Sequence, residues 1–152
     1  MTYEVRLAEK KDMDWLVNTA GYNMICFEVS KPEWFNEDQF ELLYSKGIED
    51  KTCFVVTKGK ELVGVLGGIL VPNIFNSKYT NLTEILWYVL PEHRRSKCGY
   101  LLLKEYSKLS DTISGVSTFS ILTDSSEVNI DTIEKFGFKL KEFSFYKEKQ
   151  CL

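Results

Sequence analysis

Three basic side chains, Arg94, Arg95 and Lys97, fall within four positions of one another and follow the chain's only histidine, His93. An apolar stretch ends just before them at Pro91, and a Leu-rich stretch, Leu101-Leu102-Leu103, begins just after. If the first is a strand and the second a helix, a helix N-terminus lies between them. The first-turn N–H groups of a helix have no partner inside it, and the helix dipole adds partial positive charge there. Such a junction binds anions of the phosphate type. Arg94, Arg95 and Lys97 add full charges to it. The backbone of Ser96, Cys98 and Tyr100 supplies further donors, and Gly99 permits close approach.

Other chemistries fit less well. Cys26, Cys53, Cys98 and Cys151 are scattered without a CxxC pair, and one histidine is too few for a Cys/His zinc site, so no metal is expected. Scattered thiols in a chain able to build its own core read as reduced, which points to the cytoplasm. The net charge of −3 argues against broad nucleic-acid binding. The start of the chain lacks the apolar run of a signal peptide, and the longest apolar stretch, residues 62–72, is too short to span a bilayer.

The elements that must hold this junction can be read from periodicity. The 152 residues fit one domain, 1–152, with no repeat, linker or low-complexity tract. Residues 3–7 alternate as a strand. Residues 11–28 read as a helix capped by Asp12. Residues 32–48 read as a second helix opened by Pro32, whose scattered apolar positions also fit two short helices. Strands at 52–57 and 62–71, joined by Lys58-Gly59-Lys60-Glu61, form a hairpin. Gly64, Gly67 and Gly68 in its second strand mark a bulge or a close approach. A strand at 82–90 ends at Pro91. A helix from 95 or 96 to 110 carries Gly99, Leu102, Leu103, Tyr106 and Leu109 at helical spacing. A strand at 116–123, a helix at 129–136 closed by Gly137, and a strand at 139–147 complete the order β-α-α-β-β-β-α-β-α-β. The expected fold is α+β: a central mixed, mostly antiparallel sheet of six to seven strands with helices on both faces.

With these elements in place, Val89-Leu90-Pro91-Glu92-His93, Arg94 and Gly99 resemble the GNAT superfamily of acyl-CoA-dependent N-acetyltransferases. In that superfamily a strand ending in Val-x-Pro-Glu-aromatic leads to Arg/Gln-x-x-Gly-x-Gly/Ala and a Leu-rich helix. Glu134-Lys135-Phe136-Gly137-Phe138 resembles the ending of its last helix. Two positions depart from the pattern. Lys97 stands where the first Gly is usual, and Ile133 stands where a Tyr often serves as the acid toward the departing thiolate.

The resemblance implies acetyl-CoA as co-substrate and direct attack by an amine of a small molecule or protein. It places pantetheine along Tyr88, Val89 and Leu90, and the pyrophosphate at residues 94–100. It offers Glu84 as general base, with Asp124 a second candidate and Tyr88 a possible donor to the thiolate. A β-bulge would change the face on which Glu84 lies. His93 in the phosphate loop and Cys98 without an activating base are expected to be structural. The aromatics Trp15, Tyr22, Phe27, Trp34 and Phe35 are candidates for an acceptor pocket or for plain helix packing. A monomer or homodimer is implied. The alternative is a degenerate domain that binds acyl-CoA or another protein without catalysis.

Overall fold

A computed structural model describes residues 2–121, 129–145 and 147–148. Strand β1 (Tyr3–Leu7) is followed by α1, a helical run over residues 10–28 that changes pitch along its length. It opens with a 3-10 turn at Lys10–Asp12, passes through Met13–Trp15 as α-helix, and widens into π-helix at Leu16–Gly21 and Met24–Glu28. The expected cap at Asp12 is corrected. Asp12 lies inside the first turn, where its carboxylate accepts from the Glu9 N–H at 2.8 Å and from two nitrogens of Arg6 at 2.7 and 2.8 Å. Burial works against this charge, but the Arg6 and Glu9 hydrogen bonds prevail and hold the carboxyl below its usual range. The turn is thereby tied to β1.

The expected second helix divides, because Asn36 takes an extended backbone and caps a new start. Pro32–Trp34 is a 3-10 turn, and α2 (Glu37–Glu49) begins where Asn36 Oδ1 accepts from the Gln39 N–H at 2.8 Å. Strands β2 (Cys53–Lys58) and β3 (Glu61–Pro72) form the expected hairpin, and β4 (Thr80–Val89) pairs with β3. Helix α3 (Cys98–Ser110) starts two to three residues later than the spacing predicts, after a 3-10 turn at Pro91–His93. A short strand, β5 (Ser117–Thr118), and α4 (Ile130–Lys135) follow, with Asn129 capping α4. Gly137 closes α4 with a φ of 87°, as its position predicts.

The described residues form one five-stranded sheet in the order β1-β2-β3-β4-β5. It is antiparallel except for the parallel pair β4–β5. The mixed, mostly antiparallel α+β fold is as expected, whereas six to seven strands are not found among the described residues. The strand expected at 116–123 is paired only at Ser117–Thr118, and residues 122–128 lie outside the description. The strand expected at 139–147 carries no ladder over residues 139–145.

Both faces of the sheet are covered. Phe54, Val56, Leu66 and Leu82 pack with Leu102, Leu103 and Tyr106 of α3. Val55, Val65, Leu86 and Tyr88 pack with Leu16, Val17, Ala20 and Tyr44 of α1 and α2. No helix of the described residues is long and apolar enough to cross a membrane.

One irregularity in β4 controls which side chains reach which face. Gly67 lies opposite Leu86, but Gly68 lies opposite Glu84, so Ile85 is an extra residue in β4. Before this bulge the even residue Leu82 faces α3. After it the odd residues Trp87 and Val89 do. Gly68 is required here because a Cβ would stand 2.8 Å from Leu82 Cδ1 and 3.0 Å from the Thr83 carbonyl oxygen, and the carbonyl is fixed in the ladder. Gly68→Ala is therefore expected to destabilise the fold by about 1–3 kcal/mol, read as a lower urea midpoint with unchanged slope.

Candidate active site

The cleft arises where β4 and β5 part. They pair only at Leu82–Ser117 and Thr83–Thr118. Beyond that point Phe119 meets Trp87 edge-on, with ring centroids 5.6 Å apart, and packs against Phe138 at 4.8 Å. Aromatic rings thus fill the wedge between strands that no longer share hydrogen bonds. A cleft of about 900 Å³ opens beside them. It is lined by the second half of β4, by the Met24–Glu28 stretch of α1, by the start of α3 and by α4. This size suits a small-molecule or cofactor site.

The outer edge of β4 supplies backbone groups to the cleft. The Leu90 N–H donates to the Val63 carbonyl at 2.8 Å, on the β3 side. Backbone direction alternates along an antiparallel ladder. The register Gly64–Val89 and Val65–Tyr88 therefore commits Tyr88 to β3 and turns the N–H and C=O of Trp87 and Val89 toward the cleft. Of Tyr88, Val89 and Leu90, only Val89 presents its backbone to the cleft. Tyr88 lines it with its side chain, and its hydroxyl accepts from Asn23 Nδ2 at 3.2 Å.

The junction after Pro91 is built largely from its own hydrogen bonds. The Ser96 hydroxyl donates to the His93 carbonyl at 2.5 Å and accepts from the Cys98 N–H at 3.2 Å. Tyr3 and His93 Nδ1 are hydrogen-bonded at 2.9 Å, which pins the loop to β1. Cys98 is fully buried in the α3 core, and burial pushes its thiol up. Lys97, in the slot where glycine is usual, has φ −76° and ψ −4°, an ordinary right-handed conformation. The substitution adds no backbone strain. Gly99 sits in the cleft wall, where a Cβ would meet only Trp87 Cζ2, at 3.6 Å. The first turn of α3 therefore shows bare backbone to the cleft, beside Ser96 and Tyr100.

Arg94 turns inward. Its Nε donates to the Val89 carbonyl at 2.9 Å, its Nη2 pairs with Glu28 Oε1, and its guanidinium carbon lies 5.5 Å from the centre of the Tyr88 ring. Arg95 and Lys97 do not line the cleft wall that Arg94 and Ser96 form.

Glu84 stands where the strands separate. Its carboxylate accepts from the Ser120 N–H at 2.6 Å, taking a donor that a continued ladder would have used. Burial pushes this carboxyl up to about 7, against the opposing pull of the Ser120 hydrogen bond. The charge acts in turn on its neighbour Tyr106, whose phenol is raised first by burial and then by Glu84. Ile133 is buried in the cleft wall with Thr132 and Asn129, so the expected hydroxyl slot is apolar. Asp124 lies outside the described residues. Among the described residues no cluster of three or more His, Cys, Asp or Glu side chains is placed to hold a metal ion. Of the candidate aromatics, Phe27 lines the cleft, while Tyr22 and Phe35 pack on each other with centroids 5.2 Å apart.

Sequence reasoning missed Trp87, Glu28 and Ser120. Trp87 would have been found had the bulge been located, since parity then assigns its face. Glu28 and Ser120 carry no local signal, because each acts through a partner more than thirty positions away.

The profile of the acetyltransferase (GNAT) family matches residues 18–138. No curated protein sequence matches. Solved structures of the same fold include a possible acetyltransferase from Clostridium difficile 630, with TM-score 0.70 and 16% identity over 99% of each chain. A predicted acetyltransferase with acetyl-CoA from Clostridium acetobutylicum has TM-score 0.70 and 14% identity, over 97% of this chain and 96% of that one. An aminoglycoside acetyltransferase from an uncultured soil metagenomic sample, in complex with sisomicin, has TM-score 0.69 and 11% identity over 97% of each. At these identities the likeness is one of fold.

The raised Glu84 carboxyl has a consequence for stability. The folded chain holds this proton more tightly than the unfolded one, so Glu84 weakens the fold as pH rises from about 4.5 to about 7 and adds no further change above that. Glu84→Gln should remove this slope. Its stability relative to the native chain should grow across that window by on the order of 2 kcal/mol, measured by urea unfolding at pH 4.5, 6 and 8.

Proposed function

The chain belongs to the GNAT acetyltransferase family, and we propose that it transfers an acetyl group from acetyl-CoA to a primary amine by direct attack within a ternary complex. The observation that supports this most is the free outer edge of β4, which runs from the parting at Glu84 to the bare first turn of α3. An extended amide-bearing arm can pair with Trp87 and Val89 as a missing strand would. A pyrophosphate at the end of that arm then meets the N-terminus of α3. The backbone of residues 95–100 and the charges of Arg94, Arg95 and Lys97 serve it there. The opening at Gly99 fits such a group, because Gly99 adds no side chain of its own and only Trp87 Cζ2 comes near its Cβ position.

Bound acetyl-CoA supplies a thioester open to attack by an amine. The C–N bond forms as the C–S bond breaks; the ammonium first loses one proton, the attacking nitrogen sheds a second as the amide forms, and the departing thiolate takes one up. Glu84 is the proposed acceptor of the amine proton, directly or through water. A carboxyl poised near 7 is about half ionised at neutral pH, which suits a general base. Tyr88 is the proposed donor to the thiolate, since it lines the cleft and Ile133 supplies no hydroxyl. Asp124 stands as the second candidate base. The proposal takes residues 1–152 as one domain, a monomer or homodimer, in a reducing compartment such as the cytoplasm. The free thiols of Cys26, Cys53 and Cys98 are in keeping with that.

The apolar Ile133 favours a second reading, in which the domain binds acyl-CoA without turning it over. Acetyl-CoA at a hundredfold over its Kd should stabilise the chain by about 2.7 kcal/mol, seen as a raised Tm. Amine-dependent thiol release should accompany it, rising with pH through about 7. Glu84→Gln should lower kcat roughly a hundredfold. Absence of stabilisation defeats both readings, and stabilisation without thiol release across a panel of amines leaves the binding module.

A further inference from the structure

Glu28, Glu84 and Arg94 are the charged side chains that line the cleft among the described residues. Arg94 and Glu28 are paired, with side-chain exposures of 25% and 33%. Accepting the acyl-transfer reading, we propose that Glu28 selects an acceptor with a second positive charge, and that Arg94 covers this carboxylate until the acyl donor displaces it.

The displacement follows from one carbonyl having two claimants. A ligand laid along the outer edge of β4 needs the backbone groups of Trp87 and Val89. The Val89 carbonyl already accepts from Arg94 Nε at 2.9 Å. That same side chain holds Glu28 and lies over Tyr88. The oxygen can accept two bonds, but a ligand on this edge must approach it from the cleft side that the guanidinium already occupies, and so crowds the arginine. Arg94 also belongs to the loop that leads into α3, so an anion at the helix start offers its charge a new partner.

Glu28 lies beside Phe27 and is one-third exposed while paired, so once the arginine has moved its carboxylate opens to the cleft. A charge so placed is costly without a counter-ion. A diamine or polyamine satisfies it: one amine is acetylated, and the second ammonium replaces the guanidinium on Glu28. A neutral or anionic acceptor leaves Glu28 unpaired and is disfavoured. The arginine in the donor loop and the carboxylate in α1 thus make acceptor recognition depend on donor binding.

The test uses the full chain with acetyl-CoA as donor, CoA as the probe of donor-site binding, and spermidine and 1-butylamine as acceptor probes. Glu28→Gln should raise the KM for spermidine roughly tenfold at nearly constant kcat, the loss of one charge-assisted contact, and should lower the KM for 1-butylamine, which no longer leaves a carboxylate unpaired. By calorimetry the same variant should bind CoA roughly fivefold more tightly, since the arginine is no longer held back. The gain should vanish in an Arg94→Gln background. Glu28→Asp keeps the charge and should retain the preference for spermidine, which also controls for a folding defect in Glu28→Gln. An unchanged ratio of the two KM values, CoA affinity that is unaltered or weaker in Glu28→Gln, or failure to acetylate spermidine by a chain that binds CoA overturns the proposal. Failure of the unaltered chain to bind CoA overturns the acyl-transfer reading beneath it.

Discussion

Beyond Leu82–Ser117 and Thr83–Thr118, strands β4 and β5 share no ladder, and each backbone group left on the parted edges needs another partner. Side chains provide two of them. Glu84 takes the Ser120 N–H, and Arg94 takes the Val89 carbonyl. Between these two points the edge of Trp87 and Val89 faces the cleft. Phe119 fills the floor of the gap, with its ring edge-on to Trp87 and Tyr106. The cleft is thus the direct product of a sheet that stops pairing while its strands continue.

The bulge at Ile85 makes this arrangement compatible with a packed core. Without the extra residue, the parity set by Leu82 would turn Trp87 toward α1 and α2 and Tyr88 toward α3. With it, Trp87 joins the α3 layer near Gly99, and Tyr88 joins the other layer near Asn23 and Arg94. Gly68 accommodates the irregularity from the β3 side, where Tyr106 and Leu82 crowd the backbone. The π-helical widening of α1 adds the facing wall, since Met24–Glu28 carries the residues that close over the cleft. Stretches of π-helix are often found where a helix serves a site.

Much of the frame was legible from local signals. The hairpin around Gly59, the strand stopped by Pro91, the Leu-rich α3 and the glycine closing α4 each follow from residue types a few positions apart. The split at Asn36 was open in the sequence because scattered apolar positions permit either one helix or two. The later start of α3 reflects the 3-10 turn after Pro91, whose Ser96 bonds replace the first helical turn. Lys97 in a glycine slot looked like a flaw in the motif and proves conformationally neutral, since that position has a right-handed backbone.

The sequence by itself determined that a strand, a turn and a helix would follow one another around Pro91, because caps, breakers and periodicity act over neighbouring residues. It also determined the α+β class with its mixed sheet, and the residues that carry the family resemblance. Tertiary structure alone decided which side chains reach the cleft. The bulge opposite Gly68 reset the alternation of β4, burial raised the Glu84 carboxyl, and the pairing with Glu28 held Arg94 against the edge of the sheet. Each of these depends on a partner tens of positions away in the chain, and a local pattern holds no record of such partners.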